Sequence, residues 1–275
     1  ENATQEDIMA LRIRMGLDQP PIPRYFNWLD NIFHGDLGVS TANGTPVATM
    51  IANQIRPTLN LATFAMFLAL LIALPLGMWA AYKKGTWIDQ AVTVISLLGI
   101  SLPSFLLGLF LIMLGAVKLR WFPVSGYVPF SDGFGEHIRS IFLPAFALGF
   151  MHAALIMRIT RATLLEVLNT DYIRMAKSKG VKNFVLVAKH AFKNTLVPVI
   201  TIIGQSFIIA LSGSTVIEAV FGIPGVGSLI VNSVNRRDYQ VIQSVVLLIA
   251  LLNIIVNLLV DLLYGVIDPR IRLDR

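Results

Sequence analysis

Few residues of this chain have the types and spacing that chemistry requires. The four histidines stand at positions 34, 137, 152 and 190, too scattered to suggest a metal cluster. With no cysteine, there is no thiolate ligand, thiol nucleophile or disulfide. Gly222 and Gly227 are spaced as in a phosphate-binding loop, but Ser228 and Leu229 stand where such a loop needs Lys and Ser or Thr. The phosphates would meet no cation. Neither a Gly-x-Ser-x-Gly elbow nor a His-Glu-x-x-His pair occurs. These residue types point away from an enzyme and from a cofactor bound by this chain.

Two constellations remain. Near the C-terminus Asn253, Asn257, Asp261 and Tyr264 interrupt an apolar run, and at ~100° per residue they share an arc of about 80°. Amides facing lipid are unfavourable, so this stripe should face another helix or an aqueous path, and amides commonly join helices. Asp261, near one end of the run, suits a backbone or basic partner better than a solute. The second constellation is "DYIRMAKSKGVKNFVLVAKHAFKNTLVPVI", residues 171–200, which holds six Lys or Arg just ahead of an apolar run. "ATLLEVLNTDYIRMAKSKG" predicts a helix stopping at a left-handed Gly180, and "VKNFVLVAKHAFKN" a second helix before Pro198. The hairpin presents Tyr172 and, one turn on along the same face, Ala176, small enough to let a partner approach. A basic loop that merely fixes topology accounts for the same residues as well as a docking surface does.

The elements that must position these groups emerge from composition. The chain is 55% hydrophobic and only 14% charged, against roughly 25% charged in soluble domains. It is a membrane protein. Windows free of Asp, Glu, Lys and Arg cover Pro57–Tyr82, Gln90–Val117, Ser140–Met157, Asn194–Ile217 and Tyr239–Val260. At 18 to 28 residues each, they approach or exceed the ~20 residues a crossing helix needs, which predicts five spans in an all-α polytopic transmembrane bundle. The absence of Asp, Glu, Lys and Arg from these windows argues against an ion-coupled secondary transporter or channel.

The charge distribution orients the bundle. With loops 83–89, 158–193 and 261–275 inside, the inner face carries thirteen Lys and Arg against six acids, and the rest of the chain nine against ten. This is the positive-inside bias, and it accounts for the basic pI of about 9.7 without nucleic acid as a partner. Residues 1–56 then form an extracytoplasmic segment, partly folded against the membrane surface, and residues 57–275 a transmembrane domain with a cytoplasmic hairpin at about 163–193. No signal peptide is visible at the start. Pro75, Pro103, Pro144 and Pro198 fall within the spans and predict bends. "EAVFGIPGVGSL", residues 218–229, is apolar but too short and too rich in Gly and Pro to cross, and reads as a re-entrant or surface-lying turn.

"RITRATLLEVLNTDYIRMAKSKG" followed by "KHAFKNTLVPVIT" resembles the cytoplasmic loop of ABC-importer permeases of the dipeptide/oligopeptide branch. "GLDQPPIPRYFNWLDNIFHGDLGVS", "PTLNLATFAMFLALLIALPLGMWAA", "SLPSFLLGL", "EAVFGIPGVGSL", "RRDYQVIQS" and "NLLVDLLYGVIDPRIR" agree with it in order. The resemblance implies that the hairpin couples to an ATPase subunit, with Asp171, Tyr172, Arg174, Ala176, Lys177 and Gly180 making or shaping the contact. It further implies a second permease subunit, two ABC ATPase subunits that carry ATP and Mg, and an extracytoplasmic solute-binding protein, in the bacterial cytoplasmic membrane. Two departures stand out. The spacing from Gly180 to Pro198 exceeds the general importer pattern while matching the peptide branch, and the branch's first transmembrane helix is expected ahead of residue 1.

Overall fold

The computed structural model describes residues 18–181 and 183–267, together with Met9 and Arg12. The expected cytoplasmic tail at 268–275 and most of the first seventeen residues lie outside the described residues. A short helix α1, Pro21–Phe33, precedes the spans. α2, Val47–Tyr82, has 36 residues, or ~54 Å at the α-helical rise. It begins ten residues ahead of its uncharged window, because a helix longer than the ~30 Å hydrocarbon layer can hold the exposed Arg56 in the polar interface.

The second window is broken. α3, Trp87–Ser101, and α4, Ser104–Lys118, meet at 101°. Pro103 disfavours helical backbone in the residue before it, and Leu102 is accordingly extended (φ −88°, ψ 118°). The last turns of α4, Ile112–Lys118, are π-wound. α5, Phe134–Leu168, α8, Leu196–Phe221, and α10, Tyr239–Ile267, occupy the remaining windows. Among the described residues four helices are individually long and apolar enough to cross, and the bent pair makes up to five crossings.

α5 is the hub. Its apolar centre is 72% buried, against 6% for α10. α2 reaches α5 through small residues: Ala62, Ala65, Ala69, Ala73, Gly77 and Ala80 are all buried. A Cβ at Gly149 would strike the Ala65 carbonyl, and one at Gly77 would come within 2.9 Å of the Met157 carbonyl. With no hydrophobic gain available between helices in lipid, this close backbone approach supplies van der Waals contact.

Side-chain contacts define the two ends of the bundle. At one end Ala81 of α2 and Leu164 of α5 share a buried cluster with Ile173, Leu186, Val187 and Ala191, and Tyr264 of α10 donates to Thr201 Oγ1 at 2.7 Å. By the charge asymmetry this is the end expected to be the inner one. At the other, Asp238, just ahead of α10, clasps the loop after α1. Its buried carboxylate accepts the Ser40 hydroxyl, the Thr41 hydroxyl (3.2 Å) and the amides of Thr41 and Ala42 (3.3 and 3.4 Å). Burial alone would raise the Asp238 pKa, but these donors outweigh it and hold the group below the ordinary carboxylate range. A depressed folded pKa stabilises the clasp above that range and loses it only as pH falls through the lower, folded value. A spin label at exposed Asn43→Cys should therefore stay immobile down to about pH 4 and loosen only below it. With Asp238→Asn it should be mobile throughout; an Asn variant that keeps the wild-type profile would contradict the clasp.

Candidate functional site

The basic stretch folds as a hairpin, but its first arm is interrupted at Asn169 and Thr170 where the sequence suggests one continuous helix. α5 ends at Leu168, and α6 spans Asp171–Ser178. Between them the Asn169 amide donates to the Leu165 carbonyl at 2.9 Å and the Thr170 hydroxyl to the Val167 carbonyl at 2.7 Å. These side chains satisfy carbonyls that a continuing helix would have used. Asp171 then sits in the first turn of α6 and Lys177 in the last, the favourable order for the helix dipole. Gly180 adopts φ +80°, the left-handed conformation expected of it, and Val181 N–H bonds the Ala176 carbonyl across the turn at 3.4 Å. The return arm α7, residues 183–194, is π-wound over Leu186–Ala191.

Ile173 of α6 and Leu186, Val187 and Ala191 of α7 pack on the inner ends of α2 and α5, so the hairpin is braced against both spans. Asp171, Tyr172, Arg174, Lys177 and Gly180 are exposed. Asp171 and Arg174 form an exposed pair at 3.3 Å, a contact of small energetic weight. Ala176 departs from expectation: it is half-buried against the hairpin's own cluster, where its small size admits the second arm. Tyr172 Oη shares a hydrogen bond with His190 Nδ1 at 3.1 Å, tying the arms together. Sequence reasoning missed Met175 and Phe184, which are 61% and 71% exposed. Large apolar groups exposed on both arms of a basic hairpin are unusual on a surface that stays in water.

The terminal stripe divides. Tyr264 joins α10 to α8, Asn257 and Asp261 are exposed, and Asn253 is half-buried. Asn253 borders a cavity of about 20 Å³ with Thr58, Thr215 and Gly227, room for one water, and its Oδ1 is buried without a partner among the described residues. A polar stripe the sequence did not reveal lies on α8, where Gln205 and Ser212 share the uncovered face with Ile209 and Val216. Amide and hydroxyl groups at that depth call for a partner helix or water.

The turn expected within 218–229 falls between Phe221 and Val226, beside Glu218, which lies one residue past its uncharged window. The helix α8 closes at left-handed Gly222, and a ten-residue helix α9, Val226–Asn235, packs back against the bundle. The fully buried Glu218 accepts the Thr58 hydroxyl at 2.7 Å, the Ser214 hydroxyl at 3.0 Å and the Ser228 N–H at 2.9 Å. Thr58 in turn accepts the Val226 N–H at 2.8 Å. Two otherwise orphaned amides in the first turn of α9 are thereby met, with a carboxylate at the positive end of the helix. A Cβ at Gly225 would collide with the carboxylate, and one at Gly227 with Thr215. The glycines that imitate a phosphate loop thus serve close packing.

Residues 73–273 match the family described as binding-protein-dependent transport system inner membrane component. The chain belongs to this family of ABC-importer permeases. It is 40% identical over 274 residues to a putative peptide transport system permease protein of Brucella abortus, covering 100% of this chain and 87% of that one. The glutathione transport system permease protein GsiC of Shigella flexneri is 40% identical over 270 residues, 98% of this chain and 86% of that one. In fold, the permease superposes on a structure of the MetNI methionine ABC transporter in an inward-facing conformation. The TM-score is 0.66 at 18% identity, with 80% of this chain and 96% of the other covered.

Within this permease an ion pair links the hairpin's base to the broken span. Asp89, at the start of α3, accepts Arg161 Nε and, at 2.9 Å, Arg161 Nη2, as well as the Gly85 N–H at 3.0 Å. Asp89 is buried and Arg161 half-buried, so removing one partner strands the other charge, at a cost toward the lower end of the ~3–5 kcal/mol of buried pairs. Asp89→Asn should lower thermal stability in detergent and cut transport per ATP hydrolysed, and the exchange Asp89→Arg with Arg161→Asp should restore part of both. A single variant with unchanged coupling would exclude the pair as a strut.

Proposed function

We propose that the chain is one membrane-spanning half of an ATP-driven importer that carries small peptides, glutathione among them, across the bacterial cytoplasmic membrane. The observation that carries this reading is the hairpin: a basic and apolar face displayed at the inner end, on arms packed rigidly against two spans. Its partners are a second permease subunit, two ABC ATPase subunits that bind ATP and Mg, and an extracytoplasmic solute-binding protein. Closure of the ATPases pulls the hairpin, α2 and α5 move with it through their shared cluster, and Asp89 passes the displacement to α3. The cavity between the permease subunits then inverts from outward-open to inward-open. The polar groups on α8 and α10, Gln205, Ser212 and Asn257, supply hydrogen bonds along the path or to the second permease.

Reconstituted vesicles test this. With ATPases, second permease and solute-binding protein present, labelled di- to pentapeptides or glutathione should accumulate only when ATP is supplied on the ATPase side. Accumulation by the permease alone, driven by an ion gradient, would contradict it.

A further inference from the structure

The helix α1 buries none of its residues, yet its sequence is strongly sided. Ile22, Phe26, Leu29 and Phe33 recur at helical spacing on one face, while Arg24, Asn27 and Asn31 occupy the opposite one. Ile22, Phe26 and Phe33 are 72%, 60% and 81% exposed, and lying on one face they form the kind of contiguous apolar patch that marks an interaction site. The groups turned toward the rest of the protein are polar and aromatic instead. Arg24, Asn27, Trp28 and Asn31 line an open groove with Gln240 and Gln243 of α10.

The loop between α1 and α2 fixes the depth of α1. The Leu37 carbonyl accepts Gln240 Nε2 at 3.0 Å and the Ser244 hydroxyl at 3.4 Å, both in the first two turns of α10, where the apolar span begins. Phe33 and Leu37 are joined by so short a chain that their Cα atoms lie within about 14 Å, and the bilayer's polar interface is itself several ångströms thick. The C-terminal end of α1 therefore lies within reach of the polar interface that surrounds the start of the α10 span. The helix's one Arg and one Asp leave it without net charge, and Tyr25 and Trp28 are the residues that favour the headgroup level.

We infer that α1 lies flat in the outer-leaflet interface, with Ile22, Phe26, Leu29 and Phe33 in the acyl boundary and Arg24, Asn27 and Asn31 toward the open, water-accessible groove beside α10. It acts as a lateral float that holds the extracytoplasmic loop at the membrane surface.

The absence of cysteine permits a direct test with the full chain in phosphatidylcholine vesicles. Nitroxides at Phe26→Cys and Phe33→Cys should collide more often with oxygen than with a water-soluble nickel chelate, and those at Asn27→Cys and Asn31→Cys should show the reverse. In a variant with Trp79, Trp87 and Trp121 replaced by Phe, Trp28 emission should be quenched by lipids brominated near the headgroup. Nickel dominating at all four sites, with Trp28 unquenched, would overturn the inference by placing the helix in water. Labels at 26 and 33 shielded from both reagents would overturn it by showing a protein partner on that face.

Discussion

A permease carrying Met175→Asp and Phe184→Asp together should insert and fold normally yet lose its ATPase partner. Both side chains are exposed and stand outside the buried clusters, so their cost to the isolated permease should stay within the ±0.5 kcal/mol of ordinary surface substitutions. In a docked complex each would forfeit ~1.5–3 kcal/mol of apolar burial and bring in a charge to desolvate. At 1.4 kcal/mol per factor of ten, the pair should weaken association at least a hundredfold. Co-purification of the ATPase and ATP-dependent uptake should fall together, at unchanged permease expression. Wild-type stoichiometry in the double variant would move the interface off this patch.

Glu218→Ala should produce the second large effect, and at the opposite end. The Ser214 hydroxyl already has the Leu211 carbonyl at 2.9 Å as an alternative acceptor. The Ser228 N–H has no such recourse, and the Thr58 hydroxyl has only a long contact to the Gln54 carbonyl at 3.4 Å. Orphaned buried donors cost about 1–3 kcal/mol each, so the loss should reach roughly 2–5 kcal/mol once the vacated volume is included. Thermal unfolding in detergent should report it. Release of α9 should also raise the reactivity of Asn253→Cys toward a small water-soluble maleimide, because α9 contributes Val226 and Gly227 to the wall of the cavity that Asn253 borders. Glu218→Gln keeps one oxygen for two donors and should fall between. Unchanged stability and labelling in Glu218→Ala would show that the carboxylate does not hold α9.

The sequence exposed what depends on local composition. Uncharged windows locate α2, α5, α8 and α10 because lipid excludes charge, and Gly180 betrays its turn because few other residues accept φ +80°. The windows stop at charges while the helices do not, since Arg56 and Arg161 are carried in the interface or paired. Pro103 announces a break but not its angle, which packing decides. The interruption at Asn169 and Thr170 escapes notice because its two hydrogen bonds compete with a helix the flanking residues would otherwise continue. Glu218 is legible as a charge at the edge of a span, yet its partner Thr58 lies 160 residues away. The stripe on α8 is hidden for another reason: Ser206 and Ser214 are buried while Gln205 and Ser212 are exposed, so polar periodicity cannot tell the covered face from the open one. Buried His152, with Nε2 unpartnered among the described residues, shows the same limit, because counting only Asp, Glu, Lys and Arg passes over a group that can also ionise.

Where the hairpin goes in the assembled transporter decides most directly whether it couples to the ATPase. Ser178→Cys, at the exposed end of α6, should cross-link through a short thiol-to-amine reagent to an ATPase subunit, while Asn235→Cys at the end of α9 should not. Cross-linking from 178 and silence from 235 is the predicted result. Labelling of Ser178→Cys by an impermeant maleimide from outside intact cells, or its failure to cross-link in a complex that hydrolyses ATP and transports, would contradict it.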